Sequence, residues 1–270
     1  MKNLILITGA NGFIGKKFFK SYKNKIIIKK IISKRVLKNS NYTNILEAIF
    51  IKYKPKIILH FAGYYTKTNS ERDNKISNKI NFEYGKILLK FAKKYDVKFF
   101  INVSTIFEFY KNTFFKKYHY TRYKKKFTNY LNKHKKNLKV LQIYLNDTYG
   151  DNDTRYKLVP ILLKRLRKKK VYLYNTNVLL NFISVYDLNK FIYKKILLKR
   201  FKDEKVIIEA KDQYSLKQLI YSLRLKNKFF IYKNIRARNY IIDNSIDKIP
   251  SIKFESKLKN WLKKKLIRGK

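Results

Sequence analysis

Short apolar runs alternate with amphipathic stretches through the first half of this chain. The apolar runs are rich in Ile, Leu, Val and Phe, a composition that predicts strands buried on both faces. The predicted strands are Leu4–Thr8, Lys25–Ile32, Ile57–Phe61, Phe99–Val103 and Val140–Tyr144. Apolar residues at helical spacing between these runs predict helices at Phe13–Tyr22, Ile45–Tyr53, Ile76–Tyr95 and Tyr118–Lys133. Strands that alternate regularly with helices predict an α/β fold, a doubly wound parallel sheet with helices on both faces.

The pattern becomes less regular after Gly150. Helices are predicted there at Leu158–Lys168, Val185–Lys199, Ser215–Leu223 and Phe254–Leu266, among short strands. No internal repeat and no long linker divides the sequence. We therefore predict a larger α/β domain over residues 1–150 and a smaller C-terminal lobe over residues 151–270, interleaved with the first in one body.

Three glycines at a spacing of three residues follow the first predicted strand and precede the first predicted helix. Gly9 would allow a tight turn, Gly12 would let a pyrophosphate approach the backbone, and Gly15 would let the helix pack closely. The phosphates would lie at the helix N-terminus, where backbone N–H groups and the helix dipole favour an anion. The pattern predicts a Rossmann-type dinucleotide-binding domain over residues 1–150, with loop contacts to the cofactor from Gly9, Asn11, Gly12, Phe13, Ile14 and Gly15. The alternative is a glycine-rich turn that binds no ligand.

Lysine dominates the composition and gives a formal net charge of +49 over 270 residues. Such a charge is compatible with binding to nucleic acid or to another polyanion. The lysines are spread along the whole chain, however, beside many Ile, Asn, Tyr and Phe, whose codons are rich in A and T. Base composition explains most of the excess, and nucleic-acid binding is therefore the less favoured interpretation.

Other features of the composition narrow the class of protein. The chain has no cysteine, which excludes disulfides and thiolate metal sites. No cluster of His, Asp and Glu has the spacing of a metal site, so no bound metal is expected. No apolar stretch is long enough to span a membrane, and residues 2–9 are too short for a signal peptide. We expect a cytoplasmic protein.

Four further motifs follow one another in the first half of the chain. They are His60-Phe-Ala-Gly63 at a strand end, Asn81 in a long helix, Asn102-Val-Ser-Thr105 at the next strand end, and Tyr120-Thr-Arg-Tyr-Lys124 on the following helix. With the glycine loop they resemble the extended short-chain dehydrogenase/reductase family, also called the NAD-dependent epimerase/dehydratase family. The resemblance implies an NAD(P)-dependent enzyme. It assigns catalytic roles to Thr105, Tyr120 and Lys124, and cofactor contacts to Ala62, Asn81 and Lys124.

Tyr120 and Lys124 are four residues apart, which places both side chains on one face of a helix. A free phenol has a pKa of about 10, so Tyr120 needs nearby positive charge to exchange a proton at neutral pH. Lys124 would supply that charge while it binds the nicotinamide ribose, and Thr105 would orient the substrate oxygen. Ser104 is the alternative to Thr105 in this role. His60 is interpreted as a structural residue.

The residues after the second predicted strand bear on the choice of cofactor. NAD-specific proteins usually carry an acidic residue there to bind the ribose 2′-hydroxyl, whereas an Arg accommodates the 2′-phosphate of NADP. This chain has Lys34 and Arg35 at that place, and no Asp or Glu precedes Glu47. NADP is therefore the predicted cofactor, with NAD as the alternative.

A segment around Gly150 resembles the part of the family that binds the sugar and the diphosphate. Asp147-Thr-Tyr-Gly150, with Asp153 and Arg155, is especially similar to CDP-abequose synthase and related nucleotide-sugar 4-ketoreductases. The resemblance implies substrate contacts from Thr105, Asp147 and Arg155. Arg155 would supply the positive charge that many family members place where this chain has Leu180.

The resemblance also implies a reaction. The expected enzyme transfers hydride between NADP and C4 of a hexose, as a reductase of 4-keto-6-deoxy nucleotide sugars in surface-polysaccharide synthesis. An epimerase or a dehydratase is the alternative, although a dehydratase normally has an Asp-Glu pair where this chain has Ile106-Phe107. An alternative of another class is a protein that binds NADP or RNA without catalysis. The expected partners are a nucleotide-diphosphate sugar and a second copy of the chain, paired through the helices at 76–95 and 118–133.

Overall fold

The computed structural model describes residues 4–31, 37, 39–65, 68–111, 116–168, 170–174, 179–224, 229–233, 242–255 and 257–267. Its strands are β1 (Ile5–Thr8), β2 (Ile28–Ile31), β3 (Ile57–His60), β4 (Phe99–Thr105), β5 (Lys139–Leu145), β6 (Asp147–Tyr149), β7 (Lys170–Tyr174), β8 (Leu179–Leu180), β9 (Phe182–Ser184), β10 (Glu204–Ala210), β11 (Tyr214–Ser215), β12 (Phe229–Lys233) and β13 (Ser251–Phe254).

The helices in the described part of the chain are α1 (Phe13–Tyr22), α2 (Tyr42–Tyr53), α3 (Glu71–Asn78), α4 (Tyr84–Lys94), α5 (His119–His134), α6 (Leu158–Leu166), α7 (Val185–Leu197), α8 (Leu216–Leu223) and α9 (Leu258–Ile267). A π-helical segment, Lys79–Glu83, joins α3 to α4, and 3₁₀ segments cover Ile106–Phe109 and Asn244–Lys248. Among these described helices, none is both long enough and apolar enough to cross a membrane.

Seven strands form the central sheet, in the order β13-β10-β5-β4-β3-β1-β2. β1 pairs in parallel with both β2 and β3, β3 pairs in parallel with β4, and β4 pairs in parallel with β5. The chain therefore adds β2 on one side of β1 and then places β3 on the other side. At such a switch point the loops that follow the strands diverge and leave a crevice at the carboxyl ends. Thr8, His60 and Asn102 lie in register at that edge.

The strands around the switch point are buried on both faces. Every residue of β1, β3 and β4 is buried, as parallel strands covered by helices require. One apolar cluster joins the sheet to α2, α4 and α5, and it includes Leu6, Ile58, Phe100, Phe50, Phe91 and Phe127. These features confirm the predicted α/β class with a Rossmann-type sheet.

α4 and α5 approach each other closely at Gly85. A Cβ at this position would lie 2.5 Å from Phe127 Cε2, so the two helices could not pack in this way around a larger residue. Phe127 is fully buried, and its ring packs edge-on against the His60 ring with centroids 5.4 Å apart. This packing fixes α5 against the carboxyl end of β3.

Contacts within the chain divide it into two units. The first comprises Met1–Leu145, Asn189–Ile207 and Ile241–Pro250, and the second comprises Asn146–Leu188, Ile208–Tyr240 and Ser251–Lys270. In the second unit β6 pairs with β9 and β7 pairs with β12 in parallel, while β8 pairs with β11 in antiparallel. Leucines from three helices form its core with Val171: Leu162 from α6, Leu219 from α8, and Leu258 and Leu262 from α9.

Two predicted helices start four or five residues away from their starts in the structure. The helix predicted at Ile76–Tyr95 begins earlier, at Glu71, and includes the π-helical segment. α3 is mostly polar, so apolar spacing gives no signal for it. Its start is fixed instead by Ser70, whose hydroxyl accepts a hydrogen bond from Asp73 N–H at 3.2 Å. The helix predicted from Phe254 begins only at Leu258, because Phe254 is the last residue of β13.

Candidate active site

The loop between β1 and α1 has a conformation that its glycines make possible. Gly9 has a φ of 68°, and a Cβ at this position would lie 2.5 Å from Ala62 N. A Cβ at Gly15 would lie 2.4 Å from Gly9 O. Gly12 N–H donates to Gly9 O at 2.9 Å and closes the turn. The absence of side chains at positions 9 and 15 therefore brings this loop against the end of β3 and the first turn of α1.

Gly12 is the residue that precedes α1. Among the described atoms outside the adjoining residues, a Cβ at this position would come within 4 Å of Gly9 O alone, at 3.2 Å, so a ligand can approach the backbone here. The first turn of α1 carries no acidic side chain, and the helix dipole there favours an anion. Asn11 is exposed and Phe13 and Ile14 are half-buried at the same end of the helix. The loop fits a diphosphate group.

The loop after β3 is tied to β1. Thr8 Oγ1 and His60 Nδ1 are 2.7 Å apart in a buried hydrogen bond, and Ala62 N–H donates to Thr8 Oγ1 at 3.4 Å. Burial and the nearby charge of Lys124 hold the pKa of His60 well below its usual range. His60 is therefore neutral at physiological pH and has a structural place in the site.

Asn81 fixes the same loop from the π-helical segment. Its Oδ1 accepts a hydrogen bond from Tyr64 N–H at 2.8 Å, and its Nδ2 donates to Tyr64 O at 3.0 Å and to Ser77 Oγ at 2.7 Å. The amide is fully buried. Asn81 thus holds the backbone just after Ala62 and Gly63, and π-helical turns of this kind often occur at functional sites.

Lys124 lies beneath this loop, at the carboxyl ends of β3 and β4. Its Nζ donates to Val103 O at 3.0 Å and to Ala62 O at 3.5 Å. A Cβ at Gly63 would lie 3.4 Å from Lys124 Nζ, so the ammonium is covered there by backbone alone. Only 4% of Lys124 is exposed. Burial lowers the pKa of this lysine to about 8, and the carboxylate of Glu108 acts in the opposite direction.

Tyr120 lies one helical turn before Lys124 on the same face of α5. It is half-buried, and its ring contacts Tyr65 and Tyr118 at centroid distances of 5.3 and 6.1 Å. Thr105 is the last residue of β4 and is buried. Its Oγ1 accepts a hydrogen bond from Phe107 N–H at 3.3 Å, which still allows the hydroxyl to donate. The predicted catalytic residues thus lie at the end of β4 and in the first turns of α5.

Glu108 is a buried carboxylate that none of the sequence motifs identified. Ser104 Oγ donates to Glu108 Oε1, and Thr128 Oγ1 donates to the same oxygen at 3.1 Å. Burial raises the pKa of Glu108 to about 7, although both hydroxyls and Lys124 favour its ionised form. Because the Ser104 hydroxyl is donated to Glu108, Thr105 is the better candidate to orient a substrate. One sequence signal could have identified Glu108: it is the single acid within the apolar run Ile106–Phe109.

The predicted substrate residues of the second unit take part in ion pairs. Lys157 Nζ lies 2.5 Å from Asp147 Oδ1. Arg155 contacts both carboxylate oxygens of Asp153 at 2.7 Å and donates to Thr148 O at 2.8 Å. Since Asp153 offsets the charge of Arg155, a diphosphate would have to compete for this guanidinium. Lys34 and Arg35 lie outside the described residues.

Residues 5–207 match the family described as "NAD dependent epimerase/dehydratase family". The chain belongs to this family. The match confirms the resemblance drawn from the glycine loop and from the Tyr120–Lys124 pair. As a member of the NAD dependent epimerase/dehydratase family, the protein is an NAD(P)-dependent enzyme. No curated protein matches the chain.

Solved structures of similar fold match nearly the whole chain. UDP-glucose 4-epimerase from Thermotoga maritima, solved with UDP-glucose, has 20% identity and a TM-score of 0.74, over 98% of this chain and 97% of that one. dTDP-4-dehydrorhamnose reductase from Bacillus anthracis, solved with NADP, has 15% identity and a TM-score of 0.74, over 99% and 100%. A GDP-6-OMe-4-keto-L-xylo-heptose reductase from Campylobacter jejuni has 13% identity and a TM-score of 0.78, over 99% and 97%. At these identities the likeness is one of fold.

The residues of the first unit fit NAD(P), the dinucleotide cofactor of the epimerase/dehydratase family. The backbone at Gly12 and the N-terminus of α1 would hold the diphosphate. Lys124, covered by Gly63, would donate to the nicotinamide ribose. Asn81 would act through the loop that it holds. These assignments stay predictions for each residue.

Proposed function

We propose that this protein is an NADP-dependent reductase that acts at C4 of a 4-keto-6-deoxy nucleotide sugar. The observation that carries the proposal is the burial of Lys124 at the strand ends, one helical turn after Tyr120. A buried ammonium is costly unless hydrogen bonds or an opposite charge compensate it, and groups with perturbed pKa values concentrate at functional sites. In this proposal the ammonium favours the phenolate of Tyr120.

Tyr120 is the proton donor in this proposal. When bound, NADPH supplies the hydride that reduces the C4 carbonyl carbon. Tyr120 gives its phenolic proton to the C4 oxygen, so that the ketone becomes an alcohol, and solvent later restores the proton. Lys124 stabilises the phenolate left on Tyr120 by its positive charge. Thr105 donates a hydrogen bond to the same C4 oxygen and orients it.

The preference for NADP over NAD rests on Lys34 and Arg35. β1 and β2 pair in register, Thr8 with Ile31, so the chain that leaves β2 starts at the same sheet edge as the glycine loop. A guanidinium shortly after this point suits a 2′-phosphate, and a carboxylate would suit a 2′-hydroxyl. The sequence offers Lys34 and Arg35 and no acid.

The proposed substrate class is a nucleotide-diphosphate sugar. The second unit supplies Asp147 and Arg155 as candidate contacts, and the pairing of Arg155 with Asp153 keeps this cation in place. Proteins of the same fold include reductases that act on dTDP- and GDP-linked keto sugars. A 4-epimerase is the second candidate, because UDP-glucose 4-epimerases have this fold as well.

One assay separates the two candidates. The purified protein is mixed with NADPH or NADH and with CDP-, dTDP-, GDP- and UDP-linked 4-keto-6-deoxy sugars, and nucleotide oxidation and product mass are followed. A reductase oxidises one NADPH for each sugar and adds two hydrogens to it. In a parallel reaction with a 4-hydroxyl nucleotide sugar, an epimerase forms the C4 epimer, which is separated by chromatography, without a change of mass or net consumption of NADPH. If none of the keto sugars is reduced with either NADPH or NADH, the proposed reductase activity is contradicted.

The proposal also covers the pathway, the compartment and the oligomeric state. The product would serve surface-polysaccharide synthesis in the cytoplasm, where we predict the enzyme to act as a homodimer. The helices expected to form the dimer correspond to residues 76–95 and 118–133. Light scattering of the purified protein across a dilution series measures its mass, and a monomer at all concentrations would contradict the dimer.

A further inference from the structure

Glu108 is a buried charge that the proposed reaction does not use. It lies in the 3₁₀ segment Ile106–Phe109, directly after β4, and only 4% of the residue is exposed. Its carboxylate accepts hydrogen bonds from Ser104 Oγ and from Thr128 Oγ1. Most acids of this chain can form ion pairs at the surface, so a carboxylate held inside by hydroxyl donors needs an explanation.

The charges that face Glu108 come from several elements. α5 contributes Lys124 and Lys125, and Lys125 Nζ also donates to the backbone oxygen of Glu108 at 2.9 Å. Tyr144 faces it from β5 and has its pKa raised by burial and by the carboxylate. Asp243 borders the same groove and lies 3.8 Å from Lys111, its exposed partner. Asp243 is 40% exposed and pairs with a surface lysine, whereas Lys124 is buried beside the carboxylate.

Lys124 needs a negative charge nearby because it is buried. Its hydrogen-bond acceptors, Val103 O and Ala62 O, are uncharged carbonyls. His60 from β3 is a second titratable group beside it and is neutral. Glu108 lies beside Lys124: its carboxylate accepts from Ser104, the residue after Val103, and from Thr128, one helical turn after Lys124 on α5. The carboxylate therefore opposes the loss of charge on Lys124. Without the carboxylate, desolvation would act alone and Lys124 would lose its proton at lower pH.

We propose that Glu108 is a positioning residue whose carboxylate keeps Lys124 charged and so sets the upper pH limit at which Lys124 and Tyr120 act. The inference rests on the proposed function of Lys124 in holding the ribose and favouring the phenolate of Tyr120. Glu108 itself touches neither substrate nor cofactor in this scheme. It acts through the charge of Lys124 alone.

Glu108→Gln separates charge from packing. Glutamine has the same shape and retains an oxygen that accepts from Ser104 and Thr128, while it carries no negative charge. Glu47→Gln is the matched control, because Glu47 is likewise an acid whose carboxylate accepts two side-chain hydrogen bonds. Its donors are Lys94 and Tyr95, and it lies away from Lys124, between α2 and α4. Both proteins are compared with the wild type by circular dichroism before use.

The measurement is NADPH affinity as a function of pH between about 6 and 9.5, by fluorescence titration. Ordinary lysines lose their charge at about pH 10.4, so a midpoint near 8 belongs to a buried lysine. We expect Glu108→Gln to move this midpoint down by about one unit, which is a loss of up to about tenfold in affinity at pH 8. Glu47→Gln should leave the midpoint unchanged. An equal midpoint in wild type and Glu108→Gln would overturn the proposal.

Two further variants, Lys124→Met and Ser104→Ala, distinguish a failure of the role of Lys124 from a failure of the role of Glu108. Lys124→Met should abolish the pH dependence; if it leaves the wild-type curve intact, the role of Lys124 fails and this inference fails with it. If Lys124→Met flattens the curve and Glu108→Gln does not shift it, only the role of Glu108 is wrong. Should Glu108→Gln not fold, Ser104→Ala replaces it. Loss of that hydroxyl donor should protonate Glu108 more readily and move the midpoint down by a smaller amount, and no movement would contradict the proposal.

Discussion

The glycine loop, Gly9–Gly15, and the buried pair of Lys124 and Glu108 lie at the same edge of the sheet and handle charge in opposite ways. The loop contains no ionisable side chain and offers an anion only backbone N–H groups and a helix dipole. The contribution of the loop to cofactor affinity should therefore be independent of pH. The pair is made of ionisable groups under desolvation, and the pKa values of Lys124, about 8, and Glu108, about 7, both lie near neutrality. Diphosphate binding is thus assigned to groups that do not titrate, whereas ribose binding and proton transfer are assigned to groups that do.

The largest effect is expected on the proton-transfer side. Tyr120→Phe removes the phenolic hydroxyl and keeps the ring, so turnover should fall by about 10²–10⁴-fold while NADPH affinity stays unchanged. Tyr123→Phe is the matched control, because Tyr123 lies on the same helix but donates to Asn74 Oδ1 at 2.8 Å. Steady-state rates with the reactive sugar measure both. A Tyr120→Phe enzyme that keeps more than about a tenth of the wild-type rate is incompatible with the assignment.

The second largest effect is expected on the affinity for NADPH. Arg35→Asp combined with Lys34→Ala should repel the 2′-phosphate and accept a ribose hydroxyl, at a cost to NADPH binding of about 2–4 kcal/mol, or roughly 30- to 1000-fold. The ratio of kcat/KM for NADPH and NADH measures the change. Lys29→Ala, on β2 itself, is the control for loss of a lysine near this strand. A ratio that stays within about threefold of the wild type contradicts the NADP preference.

The same contrast explains what the sequence could predict. Glycine spacing, strand burial and the Tyr120–Lys124 interval are local properties of the chain, and they identified α1, β1 and the family. Glu108 was missed because its meaning depends on burial and on Thr128, a residue far along the chain. The start of α3 was missed for a related reason: it depends on a cap at Ser70, and the residues of α3 are mostly polar. Sequence patterns therefore predict a backbone motif well, whereas they predict a buried charge poorly.

A smaller effect tests whether the loop binds through its backbone. Gly12→Val places a branched side chain where the phosphate would approach, so NADPH affinity should fall by about a hundredfold, or about 2.7 kcal/mol. Folding should persist, since a Cβ at position 12 has nearby only Gly9 O among the described atoms beyond its chain neighbours. Gly15→Ala is the contrasting variant and should destabilise the fold, because its Cβ would lie 2.4 Å from Gly9 O. Unchanged titrations at pH 6 and 9 would contradict the loop as the phosphate site.

The smallest effect concerns stability against pH. The pKa of Glu108 rises from 4.5 to about 7 on folding, so the unfolded chain ionises first and wild-type stability falls as the pH rises through this window. Between pH 5 and pH 7 the contribution amounts to about 2 kcal/mol. Glu108→Gln should lack it. Groups that Glu108 does not affect titrate alike in both proteins and cancel when urea unfolding curves of the two are subtracted. The change expected at Lys124 acts mainly above pH 7. A constant difference between pH 5 and pH 7 would mean that Glu108 is not buried as a titrating acid, and the contrast with the glycine loop would then fail.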